Sequence, residues 1–96
     1  MSTMFNPPHP GKFIREVYLD PFKISYRTAA KSLKVSPSTF NRLVAGKSNI
    51  SPEMALRLSK AFGRSPVSWL AMQDHYDLWQ ARSRINLDEV ERLAFA

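Results

Sequence analysis

Apolar residues recur along this chain at steps of three and four, the spacing that lines one face of an α-helix. Five stripes follow that rule: Phe13, Ile14, Val17 and Tyr18; Ala29, Ala30 and Leu33; Phe40, Leu43 and Val44; Met54, Leu58, Ala61 and Phe62; and Trp69, Met72, Tyr76 and Trp79. They are the expected core, and they predict helices over residues 10–20, 25–33, 36–45, 51–62 and 66–82. The Met and aromatic stripe of the last helix reads as packing. Period-two alternation is absent and β-branched residues are scattered singly, so no strand is expected.

The residues between the stripes agree with these boundaries. Three Ser-Pro pairs, Ser36-Pro37, Ser51-Pro52 and Ser65-Pro66, each stand before an apolar-periodic segment. The serine hydroxyl can accept from an orphan N–H of the first turn, and proline's missing N–H and fixed φ suit the first helical position. Ser25 can cap a further helix in the same way. Gly46 and Gly63 follow Ala45 and Phe62, where a left-handed residue would end a helix, and Pro21 should end the first helix after Asp20. Near the C-terminus, Asn86 with Glu89 has the pattern of a capping box, with Leu87, Val90, Leu93 and Ala94 on one face of a short terminal helix.

With 96 residues the chain has material for one hydrophobic core. Its 44% apolar and 23% charged content is ordinary globular usage. The expected organisation is a flexible segment over 1–8, an all-α helical domain over 9–82, and a C-terminal extension over 83–96. Apolar runs such as Trp69-Leu70-Ala71-Met72 stop at four residues, far short of the roughly 20 of a membrane-spanning helix. The first eight residues have no basic region followed by an apolar stretch, so no secretory signal is expected. With no cysteine there is neither a disulfide framework nor a thiolate zinc site, which points to a reducing cytoplasm.

Charge adds a function class. The net +6 is unevenly spread: residues 23–64 carry nine bases, Lys23, Arg27, Lys31, Lys34, Arg42, Lys47, Arg57, Lys60 and Arg64, against the single acid Glu53. Residues 1–22 balance at zero, and residues 65–96 carry three bases against five acids. A polyanion is the expected partner of the middle third, because each base set against a phosphate releases condensed counterions. Solubility charge is the bland alternative. A membrane-surface helix fits less well, since the bases are spread over several short segments.

Residues 26–45 make that partner more specific. A helix with small residues at Ala29 and Ala30 ends at Leu33, a tight connection carries Val35, and a second short helix starts at Ser36-Pro37. Small residues let helices approach closely, and this arrangement is that of a helix-turn-helix, whose second helix enters the DNA major groove. At about 100° per residue, Phe40, Leu43 and Val44 share one side of that helix. Ser38, Asn41, Arg42 and Ala45 share the other, which holds no acid. Arg can pair bidentately with guanine and Asn with adenine. Ser36, Ser38 and Thr39 can reach bases or phosphates near the helix start, where the dipole is positive. Arg27, Lys47, Ser48 and Asn49 flank this face and suit phosphate positioning.

Enzyme and metal readings find little support. His9 and His75 lie far apart with no cysteine, so zinc spacing fails and a catalytic triad lacks parts. Asp74 and Asp77 share a helix face without companion ligands and read as solvated surface. No cofactor is expected.

The ordered set of His9-Pro10-Gly11, the helix-turn-helix over 26–45, Ala45-Gly46-Lys47-Ser48-Asn49-Ile50-Ser51, Ala61-Phe62-Gly63-Arg64-Ser65-Pro66-Val67-Ser68-Trp69-Leu70 and Tyr76-Asp77-Leu78-Trp79 resembles the HigA-type antitoxins. That family is also known as virulence-associated protein I, within the lambda-repressor-like (Xre) group of DNA-binding proteins. The resemblance covers about residues 9–81. It implies a five-helix DNA-binding domain acting as a homodimer on a palindromic operator, repressing its own operon and neutralising an RNA-cleaving toxin of the RelE-like HigB type. It also carries the reading helix to residues 36–45, with Ser38, Thr39, Asn41 and Arg42 as exposed readers. Two positions depart from the family: Lys34 stands where the turn usually has glycine, and Lys12 replaces the acid that often follows His-Pro-Gly. A left-handed turn at Lys34 would therefore carry a steric cost. Two other functions compete with this one. One is a stand-alone repressor; the other is a protein-binding inhibitor, with DNA binding secondary, that engages a basic toxin through the last long helix and the acidic-apolar terminus.

Overall fold

The computed structural model describes residues 6–95; residues 1–5, most of the expected N-terminal segment, lie outside them. The elements are α1 (Pro10–Ile14), continued by a π-helical turn (Arg15–Leu19), then α2 (Tyr26–Leu33), α3 (Pro37–Val44), α4 (Pro52–Phe62), α5 (Pro66–Arg82) and a 3-10 turn (Leu87–Glu89). Five helices stand where the apolar stripes placed them, and no strand occurs among the described residues.

Capping follows the serines. Ser25, Ser36, Ser51 and Ser65 each occupy an N-cap in extended backbone, and each hydroxyl oxygen accepts from the amide three residues on at 3.1 Å. Prolines fill the first helical position of α1, α3, α4 and α5. Gly46 (φ 78°) follows α3 in the left-handed region, where the Lys47 amide donates back to the Arg42 carbonyl at 2.9 Å.

Ile14, Leu19, Ala29, Ala30, Leu33, Phe40, Leu43, Val44, Ile50, Ala55, Leu58 and Trp69 form the buried core. Phe13, Tyr18 and Phe62 gather round Trp69, with Tyr18 stacked on Phe62 at 5.2 Å between centroids. The Trp69 indole N–H donates to the Gly63 carbonyl at 2.9 Å, so its burial leaves no orphan donor.

Two expected core positions are corrected. Val17 is 42% exposed, and Leu19 takes its place at 0%. The cause is the π turn: Asp20 N–H donates to Arg15 C=O at 2.8 Å and Ile24 N–H to Leu19 C=O at 2.9 Å, each five residues back. One residue per turn is added, so the inward positions run Ile14 to Leu19 instead of keeping the 3.6 period. On α4 the inward side runs through Ala55 and Leu58, and Ala61 is exposed. Alanine is too small to phase a helix by itself.

Two close approaches set the helix positions. A Cβ on Gly11 would overlap the Leu43 carbonyl oxygen and lie 2.8 Å from Val44 Cα, so glycine alone lets α1 cross the end of α3. Arg15 donates to the Val44 carbonyl at 3.3 Å at the same crossing. The helical extension past α5 is limited to one 3-10 turn. Asn86 Oδ1 accepts from the Asp88 amide at 3.1 Å, and the chain beyond Val90 is irregular. Leu87, Val90 and Leu93 are all exposed, and a helix this short without a buried face is not stable in water.

Candidate nucleic-acid interface

α3 has the dimensions of a reading helix, since eight residues span about 12 Å, close to the width of the DNA major groove. Its inner face, Phe40, Leu43 and Val44, is buried, and Tyr26 of α2 meets Phe40 edge-on at 6.2 Å. Ser38, Thr39, Asn41 and Arg42 are exposed on the helix. Among the described residues the Asn41 and Arg42 side chains make no hydrogen bond or ion pair, so their donors and acceptors are available to an external partner.

The hydroxyls at the helix start are already in use. Ser36 Oγ accepts from the Thr39 amide, donates to Thr39 Oγ1 at 2.8 Å and lies 3.2 Å from Ser38 Oγ. Ser36 thus orients the first turn. Arg27 is exposed in the first turn of α2, and Lys47 is exposed just past Gly46. Ser48 is half-buried, and Asn49 is exposed but tied inward through its side chain.

That tie runs through Gln73, a buried polar residue that sequence reading passed over. Its Oε1 accepts from the Ile50 amide at 2.8 Å, and its Nε2 donates to Asn49 Oδ1 at 3.1 Å and to Asp77 Oδ1 at 3.0 Å. The loop between α3 and α4, which presents Lys47 and Ser48, is thereby fastened to α5. A glutamine standing inside an apolar stripe, between Met72 and Tyr76, was the available signal.

His9 fastens the same loop from the other side. It caps α1, its Nδ1 accepting from the Gly11 amide at 2.9 Å, and its ring lies edge-on to Tyr76 at 4.9 Å and under Gly46. The Nε2 is buried and makes no hydrogen bond. Burial lowers the pKa of His9 below the ordinary histidine value, outweighing the Ser48 backbone and the Asp77 carboxylate, which act the other way. The ring is accordingly neutral at pH 7, with Nδ1 free to accept.

Two of the bases in the basic third serve the fold. Arg57 donates to the Leu33 carbonyl at 2.8 Å, to the Lys34 carbonyl at 3.3 Å, and to Glu53 at 2.9 Å, bracing the turn that precedes α3 from α4. Arg64 stands over Phe13 and Trp69 at 5.3 and 5.8 Å. Lys34 adopts φ 61°, ψ 41°, and the Val35 amide donates to the Ala30 carbonyl at 3.1 Å, closing the turn without glycine.

Among the described residues no three His, Cys, Asp or Glu side chains gather as metal ligands, and no helix is long and apolar enough to cross a membrane.

Comparison with known proteins agrees with this geometry. The helix-turn-helix family model matches residues 14–70, more than half of the chain. An uncharacterized HTH-type transcriptional regulator of Escherichia coli K12, YddM, is 39% identical over 90 residues, covering 94% of this chain and 95% of its own. Virulence-associated protein I of Dichelobacter nodosus is 47% identical over 73 residues, covering 76% and 68%. The Pseudomonas aeruginosa antitoxin HigA, solved with the higBA promoter, superposes with a TM-score of 0.81 at 36% identity over 92% of this chain and 99% of its own. This chain therefore belongs to the helix-turn-helix family, in the lambda-repressor-like (Xre) group that holds virulence-associated protein I and the HigA antitoxins.

Proposed function

We propose that this protein is the antitoxin of a toxin–antitoxin pair: a cytoplasmic homodimer that binds a palindromic operator, represses its own operon and neutralises an RNA-cleaving toxin of the RelE-like HigB type. The observation that carries the reading is the outer face of α3. Asn41 and Arg42 stand there exposed and without an intramolecular partner, on a chain that matches, over most of its length, an antitoxin solved on promoter DNA. Arg42 and Asn41 read base edges; Ser38 and Thr39 contact bases or phosphates near the helix start. Arg27, Lys47, Ser48 and Asn49 hold the sugar-phosphate backbone, with Ser36 completing the α3 N-terminus that faces it.

The two kinds of contact separate in a binding experiment on the DNA upstream of the protein's own reading frame. Arg42→Ala loses at least roughly 30-fold on that DNA and little on random sequence, as expected for two bidentate pairs, one in each half-site, at about 1–3 kcal/mol apiece. Lys47→Ala weakens both alike and reduces the slope of log affinity against log salt by about two, roughly one for each half-site. Wild-type behaviour of both variants at matched salt overturns these roles.

A stand-alone repressor is the second reading, favoured by the near full-length match to a transcriptional regulator. Co-expression decides between them: the adjacent reading frame should arrest growth alone and not with this chain. Equal arrest in both cases removes the antitoxin function and leaves the repressor.

A further inference from the structure

The end of α2 and the outer side of α4 bound an open groove of about 600 Å³, with Ser32, Lys34, Leu56, Arg57 and Lys60 among its lining residues. Leu56 is 61% exposed, and Lys60 lies one turn further along α4, so an apolar side chain and an ammonium group share that face. Lys34 faces them from the end of α2. Arg57 is spent on the Leu33 and Lys34 carbonyls and on Glu53, so that pair adds no net charge and those two carbonyls are covered. The Lys34 and Lys60 side chains, by contrast, make no hydrogen bond or ion pair among the described residues. Two unspent cations therefore flank an exposed leucine.

Lys34 also keeps its side chain at φ 61°, where glycine would be unstrained. A residue held in a strained backbone points to a use for its side chain.

The fold narrows what can lie in the groove. The proposed phosphate contacts stand at the start of α2 and in the loop before α4, whereas Lys60 is eight residues past Pro52, about 12 Å along the axis of α4. A phosphate backbone would satisfy the lysines and leave Leu56 wet. The lining has no buried polar side chain of the kind that fixes a small molecule's orientation. The chain's own acidic tail leaves from the wrong end. α5 begins beside Gly63 at the end of α4, reaches the start of α4 by Gln73, which holds the Ile50 amide, and runs on for about 14 Å before the tail departs. What fits is a foreign acidic segment whose carboxylates meet Lys34 and Lys60 while an apolar side chain covers Leu56.

We infer that the groove between the end of α2 and α4 docks an acidic, leucine-bearing segment of another protein, and that it does so while α3 lies on DNA. The inference goes beyond the function proposed above: it gives the DNA-bound chain a second partner, opposite in charge to the basic toxin of that reading.

The test uses the full chain, isotope-labelled, and a peptide repeating Glu-Leu-Asp. Adding the peptide should shift the amide signals of Ser32, Lys34, Leu56 and Lys60 and leave those of Lys47, Ser48 and residues 87–95 in place. By fluorescence anisotropy, Lys34→Gly combined with Lys60→Gln should weaken the peptide roughly two- to thirtyfold, the range for two exposed ion pairs. Leu56→Gln should weaken it further, and should make no difference to a peptide with serine in place of leucine. All three positions are exposed, so these variants leave the core intact. The chain bound to the DNA upstream of its own reading frame should take up the peptide as the free chain does.

Equal affinity of the wild type and the lysine variant overturns the inference, as does a serine peptide that binds as tightly as the leucine one. Displacement of the peptide by operator DNA, or loss of operator affinity in the lysine variant, makes the groove a phosphate contact and also overturns it. Movement of the signals of residues 87–95 on peptide addition does the same, by making the tail the occupant. Peptide and operator are assayed separately, so a chain that takes the peptide at this groove but binds no operator removes the DNA reading alone.

Discussion

Lys34 holds a left-handed backbone, φ 61° and ψ 41°, that an L-residue adopts at a cost of roughly 1–2 kcal/mol. Its carbonyl still serves Arg57, which glycine would preserve. Lys34→Gly should therefore stabilise the protein by about 1 kcal/mol in urea titration, after the extra freedom glycine gives the unfolded chain is subtracted. A loss of stability would mean that the lysine side chain compensates the strain. His9 makes a prediction in pH. Its folded-state pKa is lowered, so the unfolded chain takes up the proton first as pH falls through about 6.5, and stability drops. The loss is at most about 1.4 kcal/mol per pH unit and stops growing below the folded-state pKa. His9→Asn keeps an acceptor for the Gly11 amide but cannot titrate. Urea midpoints between pH 7.5 and 5.5 should fall less in that variant; equal slopes would place the pH sensitivity elsewhere.

At the level of elements, the exposed face of α3 proposed to read DNA is held in place by residues outside it. α3 owes its position to the α1 crossing at Gly11, to Arg57 bracing the preceding turn, and to Gln73 holding the following loop. Gln73→Leu removes the acceptor of a buried amide at Ile50 and leaves Asn49 and Asp77 without their shared donor. It should cost about 1–3 kcal/mol in denaturant. It should also weaken operator binding in the folded protein, because the Lys47–Asn49 loop loses its anchor. A variant that loses stability but binds DNA like wild type would show that the loop is positioned by His9 and Tyr76 alone.

For the whole molecule, the test is spacing. In the proposed dimer, two copies related by a two-fold axis would present their α3 helices to successive major grooves, about 34–36 Å apart, or one helical turn. Moving the half-sites apart by five base pairs should abolish tight binding, and moving them by a full turn should leave only what the two copies gain singly. Binding indifferent to spacing would indicate independent monomers. This prediction depends on dimer geometry, whereas the contribution of Arg42 within a half-site does not, so the two can fail separately.

The sequence alone determined the five α-helices, the starts of three of them at Ser-Pro pairs and the outer face of α3, because capping and helical periodicity are local physics readable from neighbours a few residues apart. It misplaced Val17, since the period assumed was that of an α-helix and the π turn that buries Leu19 has no local signature. What only the tertiary structure decided were contacts between residues 23 to 33 positions apart in sequence: Gln73 with Ile50, Arg57 with the turn at Lys34, Gly11 against Val44. Arg57 counted only as one of the nine bases of residues 23–64 and proved to be a brace, because a charge count cannot tell which cations the fold itself employs. A chain of 96 residues shows its local preferences in its letters; which distant groups satisfy one another depends on how the helices cross.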